Sequence, residues 1–365
     1  MESIQKTMKA WRLEKMGGKL ELKEIPIPEV RAGSVLVKVA VSGLVSYLKS
    51  YTEGQLAVYN PPPHEFTMGS NAIGYVEAVG QDVWHLKPGQ RVVLSSHITA
   101  RENVKSPMMI LLGITKNGDT ALLAQLDWPD GTLAPYVLAP AETLTPLDGL
   151  EQYTDVQLSA VTRFVVPYGG LLKGQLAAGE TIVINGATGS FGSAAVFLSV
   201  AMGSSKIIIT GRNKTMLAEV AQKAGPRVVP VVLKGNPQED ALAIKDACGG
   251  GADMAFDMVG NAKDPNSTLA ALFSLVPGGR LIIMGSMAVD LPVPYTYVMI
   301  NSWSIIGNFM YPKDATRKML ELVKSGQLPI DVIEPQVFRM AELHQAMDAA
   351  ASAGNLQNIM IDCQS

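Results

Sequence analysis

Cysteine is nearly missing: there are two, Cys248 and Cys363, in 365 residues. Two thiols that far apart in sequence build no disulfide framework, and their scarcity fits a reducing compartment, so a cytoplasmic protein is expected. Histidine is almost as rare, with four, and His64, His85 and His97 show no spacing that suits a metal. Lysine and arginine form no run and the formal net charge is -3, so there is no basic stripe for nucleic acid. No apolar stretch approaches the ~20 residues of a membrane helix. Residues 1–16 mix Glu2, Lys6, Lys9, Arg12 and Glu14 with apolar side chains and do not read as a secretory leader. What is present is apolar: 47% hydrophobic against 17% charged residues. That composition reads as a globular chain, long enough for two domains and a large core.

The first third reads as β-rich. Residues 35–41 are a β-branched run, residues 72–80 a second strand punctuated by glycine, and residues 91–94 a third, entered through the turn at Pro88 and Gly89. Many short strands between proline and glycine suggest a small barrel-like domain. After about residue 160 the pattern changes. Strands are expected at 181–185, 206–210, 228–232, 252–257 and 280–284, with helices between them, which implies a parallel, doubly wound sheet. The tail holds an expected helix at 315–324, a strand near Val332 and Ile333, a helix at 340–351 and a last strand at 358–361.

Between the strand at 181–185 and the helix after it lies Gly186-Ala187-Thr188-Gly189-Ser190-Phe191-Gly192. A tight turn and a close backbone approach need residues without a Cβ, and a helix start offers free N–H groups to a pyrophosphate. The spacing departs from the usual G-x-G-x-x-G, but the strand before it and the small-residue helix after it supply the context of a dinucleotide site. An NAD enzyme usually places Asp or Glu at the end of the next strand for the ribose hydroxyls. Here Gly211, Arg212 and Lys214 stand there and no acid does. A guanidinium suits a 2′-phosphate, and cations gain nothing from a helix start. NADPH is therefore the expected cofactor.

Several motifs now line up in order: Pro26-Ile27-Pro28 before the run at 35–39, Gly69 with Gly74 to Gly80, Lys87-Pro88-Gly89-Gln90-Arg91-Val92, the segment 178–186, Phe256-Asp257-Met258-Val259-Gly260, and Pro277-Gly278-Gly279-Arg280. Together they resemble the medium-chain dehydrogenase/reductase superfamily over nearly the whole chain. The resemblance implies an α/β protein. A GroES-like β-rich catalytic domain (1–160, completed by 311–365) would join a Rossmann doubly wound cofactor domain (161–310), with the active site in the cleft between them. It also implies that the backbone of Val259, Gly260, Gly285 and Ser286 borders the nicotinamide and ribose. Many relatives hold a catalytic zinc. Their cysteine and following histidine fall on Val45 and Ser46, their Gly-His-Glu on Gly69-Ser70-Asn71, and their four-cysteine lobe on residues 95–130, which contain no cysteine. Valine, serine and asparagine do not ligate zinc. No metal is expected, and the chain is similar to the zinc-independent quinone oxidoreductases and enoyl or alkenal reductases.

With no Lewis acid, the expected chemistry is hydride delivery to an activated C=C bond or a quinone. Tyr47 is the first candidate proton donor and Tyr51 the second, in a stretch similar to the substrate-facing tyrosine segment of alkenal reductases. Ser46, Ser70 and Asn71 inherit the metal pocket as substrate contacts. Two alternatives stand beside this reading: a carbonyl or imine reductase on the same scaffold with a tyrosine donor, and a catalytically silent NADPH sensor or structural protein. Apolar patches within 95–130, a late cluster of Tyr295, Tyr297, Met299, Trp303, Phe309, Met310 and Tyr311, and eighteen methionines suit a small apolar carbonyl-bearing substrate or a homodimer contact.

Overall fold

The computed structural model describes residues 6–100, 103–260 and 262–365, so the first five residues of the stretch read against a leader lie outside the described residues. Contacts divide the chain into two compact units: Met1–Thr162 with Ile333–Ala353 and Gln357–Ser365, and Arg163–Val332 with Gly354–Leu356.

The first unit is built on a seven-stranded sheet. Its spine is Ser34–Gly43, in which Val35, Leu36, Val37, Val39 and Val41 are all buried. Its first half, Ser34 to Val37, is buried on both faces, whereas from the exposed Lys38 onward one face is partly open. Register shifts at Leu36/Val37 and Val39/Val41 bend it against its neighbour Ala72–Val79. The last strand, Gln357–Asp362, returns from the far end of the sequence to pair antiparallel with this spine, Ile361 opposite Ser42. The strand expected near Val332 instead runs over Glu334–Arg339. It forms the sheet edge, and its exposed, proline-containing sequence hides it from a periodicity argument, because an edge strand tolerates proline. Residues 95–130 carry a separate three-stranded sheet, His97–Thr99, Met109–Leu111 and Thr115–Asn117. Ile98, Ile110, Leu112 and Ile114 fill it.

The second unit is a six-stranded parallel sheet. Counted along the chain from Thr181–Asn185, the strand order is 3-2-1-4-5-6, the arrangement of a dinucleotide-binding sheet with its switch point between the first and fourth strands. Val183, Ile184, Ile207, Ile208, Ile209, Ala255 and Phe256 are fully buried. Helices such as Ser190–Ala201, apolar on all sides, must be covered by other elements. Residues 311–332, expected in the first domain, cluster with this second unit. The helix Ala315–Lys324 buries Ala315, Met319, Leu320 and Val323, and the Tyr311 backbone lies so close to Gly169 that a side chain there would overlap it. No helix among the described residues is long and apolar enough to cross a membrane.

Candidate active site

In the second unit, the glycine turn leaves the strand Thr181–Asn185 and opens the helix Ser190–Ala201. Gly186 adopts φ +78, and a Cβ there would lie 3.1 Å from Val259 Cγ2. A Cβ on Gly192 would overlap the Gly186 carbonyl oxygen, so the helix can seat on the strand only without a side chain at that position. Gly189 is the N-cap and makes no side-chain cap, and the first turn carries no acid. The helix start is thus an open set of N–H groups with positive polarity. Ala187 donates its N–H to the Thr210 carbonyl (3.1 Å), which ties the turn to the end of the second strand.

At that end, a Cβ on Gly211 would meet Thr188 Cγ2 at 3.3 Å. The Gly211 backbone therefore lies close against the turn, and Arg212 and Lys214 follow it, both exposed. Asn213 caps the next helix through Met216 N–H (3.1 Å). Below the turn, the buried Asp257 carboxylate accepts from Thr268 Oγ1 (2.6 Å), Val259 N–H (3.0 Å) and Asn185 Nδ2 (3.3 Å). Burial raises its pKa while these donors oppose the rise. Its carbonyl accepts the Gly285 N–H (3.0 Å), and Gly260 bridges to Ser286. Gly186, Gly211, Val259 and Gly285 thereby converge at the carboxyl ends of neighbouring strands, where such sheets bind dinucleotides. The sequence reading missed Arg163. It is buried, donates to the Ser190 carbonyl (2.8 Å) and Ser193 Oγ (2.9 Å) at the helix start, and burial pushes it down to about 9. Periodicity could not have found it, because it becomes a neighbour of the turn only through the fold.

The tyrosines and polar candidates lie in the first unit, where the spine strand ends. Tyr47 is the half-buried N-cap of the short helix Leu48–Thr52. Its ring lies 5.6 Å from that of Tyr59, tilted by 34°. Burial, then Tyr59, pushes Tyr47 well above the usual phenol range, so it is a neutral donor. Tyr51 is a correction. Only 1% exposed, it spends its hydroxyl on the Ile114 carbonyl (2.5 Å). It anchors the 95–130 lobe and offers no proton to a substrate. Tyr59, absent from the sequence reading, sits in a loop without periodicity, and only the fold brings it to Tyr47.

Gly43 donates its N–H to the Asn71 carbonyl (3.1 Å), which brings the end of the spine strand, just before Val45 and Ser46, beside Asn71. Ser46 is exposed, Ser70 is buried and Asn71 half-buried. Asn71 Oδ1 accepts from Ser96 N–H (2.8 Å), a structural duty. No group of three or more His, Cys, Asp or Glu among the described residues could hold a metal. Cys248 and Cys363 are buried, and burial raises the Cys248 thiol to about 11. The lobe is tied to the preceding loop by hydrogen bonds: Lys116 N–H and Gln125 Nε2 both donate to the Asn60 carbonyl (3.0 and 2.8 Å).

Residues 31–149 match the alcohol dehydrogenase GroES-like domain family and residues 191–325 the zinc-binding dehydrogenase family. The chain is 24% identical to an NAD-dependent alcohol dehydrogenase of Sulfurisphaera tokodaii over 359 residues, covering 96% of this chain and 98% of the relative. It is 26% identical to the sorbitol dehydrogenase of Bacillus subtilis over 340 residues, covering 92% of each. A cobalt- and zinc-bound thermostable alcohol dehydrogenase from Pyrobaculum aerophilum shares the fold with a TM-score of 0.77 at 18% identity, covering 98% of this chain and 99% of that one. Other similar structures include one bound to NADP and one with NADH.

These relatives overturn the expected enone or quinone reductase. That expectation rested on the lost zinc ligands, read as the mark of a separate branch; yet over nearly its whole length the chain is similar to alcohol and polyol dehydrogenases. A zinc of the kind they imply is not matched by the valine, serine and asparagine found here. The chain carries, in order, the two domains of the medium-chain dehydrogenase/reductase superfamily.

Proposed function

We propose that this protein is a nicotinamide-dependent oxidoreductase that interconverts an alcohol and its carbonyl compound, prefers NADP(H) and works without zinc. One observation carries the cofactor half: the glycine-turn helix start is uncapped by any side chain, and the exposed Arg212, not an acid, follows the end of the next strand. The carbonyl half rests on what the similar proteins are named. When bound, the nicotinamide supplies the hydride. The helix start holds the pyrophosphate, Arg212 and Lys214 the 2′-phosphate, and the backbone of Val259, Gly260, Gly285 and Ser286 borders the nicotinamide ribose. Tyr47 holds a proton for the carbonyl oxygen, and Ser46 and Ser70 offer it hydroxyls. The aromatic surroundings of Tyr47 favour a small apolar carbonyl compound over a polyol.

A homodimer belongs to the same reading. The helix Tyr295–Ile300 exposes Tyr295 (82%) and Ile300 (69%) beside the sheet's edge strand Ser304–Gly307, an apolar patch a second copy would cover. Light scattering on a sizing column should give a dimer for the wild type and a monomer for Ile300→Asp; a monomeric wild type overturns it.

The test of function follows NADPH and NADH absorbance across ketones, aldehydes, enones and quinones, and the reverse reaction with secondary alcohols, with and without a chelator. Carbonyl and alcohol turnover that survives chelation is expected. Turnover confined to enones, or activity lost to chelator and restored by zinc, refutes the proposal.

A further inference from the structure

We infer that Tyr59 is a positioning residue that holds Tyr47 and reloads it with a proton; this rests on the reading of Tyr47 as the donor. The Tyr47 and Tyr59 rings lie 5.6 Å apart, tilted by 34°. The Tyr51 ring meets Tyr59 edge-on at 5.5 Å and 85°, and Tyr51 is itself fixed through the Ile114 carbonyl. The residue after Tyr59 is pinned as well. Asn60 donates its N–H to Thr115 Oγ1 (2.9 Å), and its carbonyl takes the two lobe hydrogen bonds described above. Tyr59 therefore stands on a loop stitched to a small sheet, with one side against Tyr47 and the other reaching the surface.

This geometry suits a relay. The tilted ring pair sets the two phenols side by side, and in the relay the Tyr47 hydroxyl exchanges its proton with Tyr59. When hydride reaches the carbonyl carbon, the C=O π pair becomes the alkoxide lone pair, and the Tyr47 O–H bond breaks as its proton moves to that oxygen. The Tyr47 phenolate then takes the proton of Tyr59, and water restores Tyr59. The net reaction consumes one NADPH and one solvent proton per carbonyl. Oxidation of the alcohol runs the steps in reverse. Tyr47 and Tyr51 are the ionisable groups that face Tyr59 in this cluster.

The experiment uses the full chain labelled with ζ-13C-tyrosine. Nuclear magnetic resonance follows the ionisation of Tyr59 in the wild type and in Tyr47→Phe, independently of turnover. Loss of the Tyr47 donor should raise the Tyr59 midpoint; an unmoved midpoint overturns the coupling and the inference with it. Kinetics with Tyr59→Phe should show kcat reduced about tenfold, a modest share of a general-acid effect, with KM and NADPH affinity unchanged. Tyr59→His, which keeps a proton carrier, should recover part of the loss. Wild-type kcat in Tyr59→Phe, or equal losses in both variants, overturns the relay. A wild type that turns over no alcohol or carbonyl compound defeats the functional proposal instead, while the resonance titration still decides whether the two phenols are coupled.

Discussion

Tyr51→Phe and Tyr47→Phe should fail in opposite ways. Tyr51 is 1% exposed and its hydroxyl donates to the Ile114 carbonyl at 2.5 Å. Phenylalanine keeps the ring, and with it the edge-on contact to Tyr59, so little packing is lost. What is lost is the partner of a carbonyl at a buried position. An unsatisfied buried polar group costs about 1–3 kcal/mol. For a unit of this size each kcal/mol moves the melting temperature by about 2–4 °C, so a drop of about 4–8 °C is expected for a loss near 2 kcal/mol. The turnover number of Tyr51→Phe should stay near that of the wild type. Tyr47→Phe removes a half-buried hydroxyl beside Tyr59 and should cost about 1 kcal/mol or less in stability, yet lower kcat by about 100-fold or more, as loss of a general acid does. Differential scanning calorimetry and steady-state kinetics on the same preparations separate the two. If Tyr51→Phe loses turnover without losing stability, the assignment of Tyr51 to lobe anchoring is wrong.

Three further outcomes follow from the cofactor unit. Arg212→Ala should weaken NADPH by about 10- to 100-fold, the worth of a charge-assisted hydrogen bond of roughly 1.5–3 kcal/mol, and leave NADH nearly unchanged; fluorescence titrations that show equal losses for both would contradict the 2′-phosphate role. Gly192→Ala places a Cβ over the Gly186 carbonyl and should destabilise by about 1–3 kcal/mol through overpacking while abolishing measurable dinucleotide binding; an unchanged denaturation midpoint refutes the close approach. Burial raises the Asp257 carboxyl above its ordinary value, so its contribution to stability is fully present below the ordinary carboxylate range and is lost as pH rises through the raised value. Asp257→Asn removes that dependence. Denaturant titrations should show the stability difference shifting in favour of the variant as pH rises above the ordinary carboxylate value of about 4, and a constant difference would show that the carboxyl titrates as it does in the unfolded chain.

The sequence by itself determined the parallel sheet and the glycine turn. Both are local: a buried strand such as Thr181–Asn185 is a run of β-branched residues, and Gly186 and Gly192 stand where backbone must approach backbone. The lack of an acid after the second strand was equally legible, since cofactor preference is set by one or two side chains at a fixed distance along the chain. The edge strand Glu334–Arg339 was not legible, because its exposed side chains carry no alternation. Nor were the roles of the tyrosines. Tyr47 and Tyr51 share a composition and a segment, and only the fold puts the Ile114 carbonyl against one and Tyr59 against the other. Arg163 and Ser190 meet from positions 27 residues apart, a meeting no motif announces. Sequence patterns record which faces must be buried. Which polar groups then meet is decided by hydrogen bonds between distant segments, and those exist only once the chain has closed on itself.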